Sequence, residues 1–346
     1  MEKLERLTAN TEEVVTLEEL KTVLNKPNPK AYIGFEPSGV VHLGWKICTH
    51  KINDFLVCGF DFTVLLADWH AYINDKLGGD IEKIKLCGKY MEDCFAAMGV
   101  DTSKVRFVYA SDYVNDARYW ELVLKTAKAS SVARVKRAMD IMGRGEEEAE
   151  KDLSKLFYPA MQVSDIFYLQ LDVAYGGTDQ RHAHMLARDV AKKIGRTAPV
   201  AIHTPLLTSL LADGRMNPIE AKMSKSKPET MISIHDPPDL VKKKLSKAYC
   251  PEKQINGNPV LEVCKYVIFP DLEGKPFRIE RPEKFGGNLE LTTYTALEEA
   301  FASGLHPLDL KNATANHINT MLEPVHGFFE KHPENYEKMK TAGIIQ

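Results

Sequence analysis

The six cysteines of this 346-residue chain, Cys48, Cys58, Cys87, Cys94, Cys250 and Cys264, include no C-x-x-C pair. That scatter sets aside a disulfide framework. The cysteines read instead as reduced core residues of a cytoplasmic protein. No apolar run reaches the length of about 18 residues that a membrane helix needs. The opening MEKLERLTAN is charged and polar, which a secretory signal is not. Excess positive charge is missing too. The 45 Lys and Arg against 48 Asp and Glu leave a net charge of -3, so any nucleic-acid contact must rest on local patches. Internal repeats and low-complexity tracts are absent. What remains is an ordinary globular composition, 44% hydrophobic and 27% charged, with length for two domains.

The first 110 residues or so alternate short β-rich runs with helix-period stretches. AYIGF (31–35), FTVLLAD (62–68) and VRFVYA (105–110) read as buried strands, and 43–58 and 80–98 as helices between them. LDVAY (171–175) and PVAIHT (199–204) add strands. Strand–helix–strand alternation predicts a doubly wound, Rossmann-like parallel sheet in an α/β fold. Residues 117–157 break the rhythm and read as an inserted helical subdomain. From about 237 the text is mostly helical and punctuated by proline. The expected division is a catalytic domain over 1–236 and a mainly α-helical domain over 237–346.

Four stretches carry chemistry. In YIGFEPSGVVHLGW (32–45) a strand runs through a Pro-Ser-Gly turn into a helix start at His42-Leu43-Gly44. Strand ends and helix N-termini in such sheets receive anions; His42 offers a phosphate donor, and Gly44 lets a flat ring approach the backbone. In YPAMQVSDIFYL (158–169), Tyr158, Gln162 and Asp165 fall at i, i+4 and i+7, a polar stripe on an otherwise apolar helix. Buried polar groups cost free energy unless paired, so the stripe faces either water or a polar ligand. GGTDQRHAH (176–184) sets Asp179 and Gln180 at another strand end, and its His182-x-His184 pair reads as helix surface and core packing, not as a metal site. AKMSKSKPET (221–230) concentrates Lys222, Ser224, Lys225 and Ser226 in one loop, either a solvated surface or a mobile phosphate clamp over 221–228. Farther on, Phe285 stands beside two glycines, as a core plug or a stacking platform. His306 and Asp309 flank a proline near a helix start, where both suit caps.

Taken together, these segments resemble the class I aminoacyl-tRNA synthetases, in particular the archaeal/eukaryotic tyrosyl type. His42-Leu43-Gly44-Trp45 is similar to the family's first nucleotide motif, with Trp45 where the consensus has a second histidine. The family varies there, so activity is expected to survive. Lys222-Met223-Ser224-Lys225-Ser226 matches the second motif letter for letter. YIGFEPSG, LLADWHAY, GGTDQR, KAYC, RPEKFGG and LHPLDLKNA extend the resemblance from about residue 10 to 330.

The resemblance implies activation of L-tyrosine by ATP, with Mg²⁺ accompanying the nucleotide, and transfer of the tyrosyl group to the 3′ end of tRNA(Tyr). It implies a homodimer built on the inserted helices and no dedicated protein metal site. Activation joins two anions, so catalysis is positioning and charge stabilisation. His42, Lys222 and Lys225 would be catalytic. Gly44, Asp179, Ser224 and Ser226 would complete the ATP site, Met223 would anchor the loop, and Asp179 would hold the ribose. Tyr32 and Asp165 would meet the phenol hydroxyl, Tyr158, Gln162 and Gln180 the ammonium, and Gly34 would line the tyrosine site. Rejection of phenylalanine is a consequence, since its missing hydroxyl strands buried polar groups; tyrosyl-tRNA synthetases are themselves the standard example of that effect. A tryptophanyl enzyme is disfavoured by the Tyr32–Asp165 pair, because an indole offers one donor. A non-charging paralogue is disfavoured by the intact lysine loop. For tRNA, the resemblance implies acceptor-stem contacts from Arg134 and Arg137 in the basic stretch 123–144 and from Arg181, and reading of the first anticodon base by Phe285, His306 and Asp309.

Overall fold

The computed structural model describes residues 2–142, 152–212 and 228–345. The chain groups into two compact units: Met1–Gly39, Lys51–Pro205 and Glu334–Gln346 form the first, Val40–His50 and Leu206–Pro333 the second. The expected boundary lay at 236/237. The described parts of 206–236 group instead with the helical region after 237 and with Val40–His50, because backbone bonds tie them there. Leu43 N–H donates to Ile232 at 2.8 Å, Ile234 N–H to Val41 at 3.1 Å, and Tyr249 N–H to Leu210 at 2.7 Å.

The first unit holds a six-stranded sheet: β1 (Glu13–Val15), β2 (Lys30–Phe35), β3 (Asp61–Leu66), β4 (Val105–Tyr109), β5 (Val173–Gly177) and β6 (Val200–Thr204). The spatial order is β1-β6-β5-β2-β3-β4. All neighbours run parallel except β1, antiparallel to β6. A parallel sheet covered on both faces requires near-continuous apolar strands, and β3 and β6 are buried almost throughout. The helices of this unit are α1 (Lys3–Thr8), α2 (Leu17–Leu24), α3 (Trp45–Val57, which begins in the second unit), α4 (Asp68–Ile73), α5 (Ile81–Ala97), α6 (Ala117–Ala129), α7 (Val132–Ala138), α8 (Ser154–Tyr168) and α9 (Arg181–Ala191), with a further helix, Glu334–Thr341, near the end of the chain. Local capping fixes several starts. Thr16 and Glu19 form a capping box on α2, and Asp80 accepts from Glu82 and Lys83 at the head of α5.

β3 ends at Leu66, short of the expected 68, because Asp68 serves the next helix. Its Oδ1 accepts from Trp69 N–H at 2.9 Å and Ser111 N–H at 3.0 Å. β5 starts two residues later than expected and runs into Gly176-Gly177. The insertion is helical where described, in α6, α7 and the turn Met139–Met142. Strand order reverses between β5 and β2, which pair through Ala31↔Val173 and Tyr32↔Ala174. Ligands in such sheets bind at the carboxyl ends beside this reversal.

The second unit is mainly helical, as expected: Pro238–Lys247, Pro259–Val263, Tyr294–Ala302 and the long Pro307–Lys331 carry its core. It also contains a hairpin, Phe277–Ile279 against Leu289–Leu291, whose three-residue strands are too short to show periodicity.

Candidate functional site

The polar stripe of α8 lies at the strand reversal, and each member has a partner from another element. Tyr158 is buried, and its hydroxyl donates to Glu36 Oε1 at 2.8 Å, just past the end of β2. Gln162 Nε2 donates to Gln180 Oε1 at 3.0 Å, in the turn after β5. Gln180 can fold back over the strand because Gly176 has no side chain: a Cβ there would sit 3.0 Å from Gln180 Cβ and Cγ. Asp165, fully buried, accepts at Oδ1 from the hydroxyls of Tyr113 at 2.7 Å and Tyr119 at 3.0 Å. Its Oδ2 faces His70 Nε2 at 3.1 Å, without the alignment of a hydrogen bond.

Tyr32 is buried in the same apolar cluster as Tyr113 and Tyr119, beside Asp165 and Gln162. Burial first, then the Asp165 charge, pushes its hydroxyl far above the ordinary phenol range. The same causes raise Tyr113 and Tyr119, while burial and the Glu36 charge raise Tyr158. All four therefore stay protonated as donors. Burial alone would depress the His70 imidazole. The charge of Asp165, with those of Glu36 and Asp68 added to it, outweighs burial, and the net direction is up.

Several buried polar atoms here have no hydrogen-bond partner among the described residues: Gln162 Oε1, Asp165 Oδ2, Asp68 Oδ2 and both His70 nitrogens. Buried orphans on this scale are expensive, and a polar ligand or ordered water entering here would satisfy them. Gly34 is exposed, and a Cβ there would meet only Tyr32 Cε2, at an ordinary 3.7 Å. Space therefore lies open above the end of β2. Asp179 sits in the turn at the end of β5.

Of the expected residues, Tyr32, Tyr158, Gln162, Asp165 and Gln180 lie together here, with additions. Glu36 was not anticipated, although it stands in the same stretch as Tyr32 and Gly34. It also accepts from Asn74 Nδ2 at 2.9 and 3.1 Å and lies 3.4 Å from the Lys76 ammonium. His70, Tyr113 and Tyr119 were missed as well. LLADWHAY held a signal for His70, whereas the tyrosines come from a distant segment.

In the second unit, His42 stands just before α3, and its Nδ1 accepts from Gly44 N–H at 3.1 Å. Gly44 is glycine for a local reason: a Cβ would lie 2.8 Å from His42 Cε1. Lys222, Met223, Ser224, Lys225 and Ser226 lie outside the described residues. The described chain resumes at Pro228, and by Ile232–Ile234 it is bonded to Val41 and Leu43 on either side of His42. Phe285 is 61% exposed, which excludes the core plug, and the Lys284 ammonium lies 4.9 Å from its ring centre. His306 caps the long helix, its Nδ1 accepting from Leu308 N–H at 3.2 Å, and Asp309 is in that helix's first turn.

The basic stretch is partly neutralised. Arg134 pairs with Asp189 at 2.9 Å, and Lys125 with Glu121 at 2.6 Å, while Arg137 is exposed. Arg181 forks onto Glu13 at 2.7 and 2.8 Å. Glu13 also holds His203 at 3.1 Å, which holds buried His184 at 3.0 Å. Burial, then His203, pushes the His184 imidazole down to about 3. His182, the other member of the pair, is at the surface on Asp140. No helix of the described residues is long and apolar enough to cross a membrane.

Comparison with known proteins agrees with this geometry. The family profile for class I tRNA synthetases (W and Y) matches residues 24–323. A tyrosine–tRNA ligase of Sulfolobus acidocaldarius is 54% identical over 335 residues, covering 94% of this chain and 92% of that protein. The crystal structure of tyrosyl-tRNA synthetase from Aeropyrum pernix superposes with a TM-score of 0.88 at 46% identity, over 98% of this chain and 97% of that one. The Pyrococcus horikoshii enzyme complexed with L-tyrosine gives a TM-score of 0.90 at 41% identity, over 99% and 100%.

Proposed function

The chain belongs to the class I tRNA synthetases (W and Y), and from that premise we propose a role for each site residue. Its reaction is that of a tyrosine–tRNA ligase: L-tyrosine and ATP give tyrosyl-adenylate and pyrophosphate, and the tyrosyl group then passes to tRNA. The observation that carries the residue assignment is the strand-reversal site, where Tyr158, Gln162 and Asp165 converge on Glu36, Gln180 and the buried tyrosine hydroxyls.

Tyrosine enters over Gly34 with its phenol inward. Tyr32 and Asp165 bind the hydroxyl, and Tyr158, Gln162 and Gln180 bind the ammonium. Glu36, which accepts from Tyr158, adds the negative charge that an ammonium favours. The tyrosine carboxylate is already an anion at neutral pH, so it attacks the α-phosphorus without a general base. The protein's work is to hold two anions in line and to stabilise charge on the departing pyrophosphate.

His42 and the lysines Lys222 and Lys225 supply that stabilisation, with Ser224 and Ser226 donating to phosphate, Gly44 beneath the adenine and Asp179 on the ribose. In this assignment residues up to about 236 act as the catalytic region. Mg²⁺ arrives on the phosphates; among the described residues no group of three His, Cys, Asp or Glu side chains is placed to hold it alone.

Arg134, Arg137 and Arg181 take the acceptor stem, and Phe285, His306 and Asp309 take the anticodon. The enzyme works in the cytoplasm as a homodimer through the inserted helices, whose Trp120, Leu124 and Val132 are exposed apolar residues. The test is Glu36→Gln in tyrosine-dependent pyrophosphate exchange. KM for tyrosine should rise about tenfold with KM for ATP unchanged, on the scale of one charge-assisted bond. An unchanged KM for tyrosine removes Glu36 from the ammonium site.

A further inference from the structure

We propose that His70 is a positioning residue that holds Asp165 as the acceptor of the ligand hydroxyl and so sets the preference for a phenol over a phenyl ligand. The inference rests on the reading of Asp165 as the phenol acceptor. It starts from how the two oxygens of Asp165 are used. Oδ1 accepts two hydroxyls, from Tyr113 at 2.7 Å and Tyr119 at 3.0 Å, so it carries no proton. Any proton on this carboxyl must sit at Oδ2, and there His70 Nε2 faces it at 3.1 Å. A bare imidazole lone pair against a carboxylate oxygen repels, so Nε2 carries the hydrogen. Both side chains are 1% exposed, and water cannot substitute for either.

Three carboxylates around His70 favour its charged form against the cost of burial. Asp165 belongs to α8, as does Tyr158, whose ring is centred 5.0 Å away and lies nearly perpendicular to the imidazole. Glu36 follows β2, and Asp68 is on the helix of His70 itself. The Lys76 ammonium opposes this charge at Glu36, 3.4 Å away. Without His70, Oδ2 would lose the group that faces it, and the carboxylate would be left buried without a counter-charge to hold it as an acceptor. With His70 in place, Asp165 offers an ionised oxygen, and the bond to the substrate hydroxyl is charge-assisted.

The experiment is pyrophosphate exchange with tyrosine and with phenylalanine, from pH 6 to 9, in wild type, His70→Leu and His70→Gln, with melting curves for each. His70→Leu should lose about ten- to a hundredfold in kcat/KM for tyrosine, the scale of a hydrogen bond to a charged group, and about twofold or less for phenylalanine. His70→Gln keeps a neutral donor near the Nε2 position. Its tyrosine-to-phenylalanine ratio should stay within a few-fold of wild type across that range, and it carries the test if His70→Leu does not fold. Equal losses for both amino acids, or a collapsed ratio in a folded His70→Gln, would overturn the proposal. If Asp165→Asn itself leaves discrimination intact, the phenol reading and the His70 inference both fall. If Asp165→Asn is effective and His70 variants are not, only the His70 inference does.

Discussion

Replacing Asp165 by asparagine probes the site with little disturbance of its packing. The amide oxygen can still accept from Tyr113 and Tyr119, which now donate at 2.7 and 3.0 Å. The amide nitrogen then faces His70, which can accept once neutral. Stability should fall by about 1–2 kcal/mol, because two charge-assisted bonds become ordinary ones. Asp165→Ala should cost about 3–5 kcal/mol, since it strands two buried hydroxyls and leaves His70 without its counter-charge. For the reaction, the asparagine variant loses the ionised acceptor of the substrate hydroxyl. That is about 1.5–3 kcal/mol, or roughly ten- to 150-fold in kcat/KM for tyrosine. Phenylalanine makes no such bond and should be activated at nearly the wild-type rate. Pyrophosphate exchange with both amino acids, beside a melting curve, reads all of this. A folded asparagine variant with an unchanged tyrosine-to-phenylalanine ratio refutes the reasoning.

Three further outcomes are expected. Lys225→Ala should slow adenylate formation far more than it weakens ATP binding if, as proposed, Lys225 acts on charge that develops in the transition state; pre-steady-state kinetics showing a normal rate constant with only a raised ATP dissociation constant contradict that. Phe285→Ala should raise KM for tRNA by the equivalent of about 1–3 kcal/mol of lost stacking. Because the residue is 61% exposed, its melting temperature and its pyrophosphate exchange should stay put, and a large loss of stability argues against the anticodon assignment. Burial would raise the Asp271 carboxyl, but His50 and Lys46 more than offset this and hold it at about 2, below its ordinary 3.8. That stabilisation, about 2 kcal/mol, is present above the ordinary value and is lost as pH falls from there toward 2. The gap between the urea midpoints of wild type and Asp271→Asn should therefore narrow as pH falls from about 4 toward 2, and a constant gap contradicts the assignment.

The strands that form the sheet centre were readable because parallel strands buried on both faces leave unbroken apolar runs, as in DFTVLL and VAIHT. β1 was not readable. Three residues at an antiparallel edge, EVV, carry no period, and only pairing with β6 makes them a strand. The α8 stripe was legible as i, i+4, i+7, yet the spacing left open whether it met water or a ligand. Glu36 just past β2, Gln180 in the turn after β5, and Tyr113 and Tyr119 turn the stripe inward, while Gln162 Oε1 and Asp165 Oδ2 keep no partner among the described residues. Those contacts span up to 122 residues, and no local pattern encodes them. Gly44 was read as room for an adenine. The fold adds a nearer reason, the ring of His42.

The central claim is that this strand-reversal site selects tyrosine. Pyrophosphate exchange of the full chain with each of the twenty amino acids in turn tests it most directly. Tyrosine alone should support rapid exchange, phenylalanine should trail by orders of magnitude, and tryptophan should be inert. Exchange driven equally well by tryptophan or phenylalanine, or no exchange with any amino acid, would contradict the account.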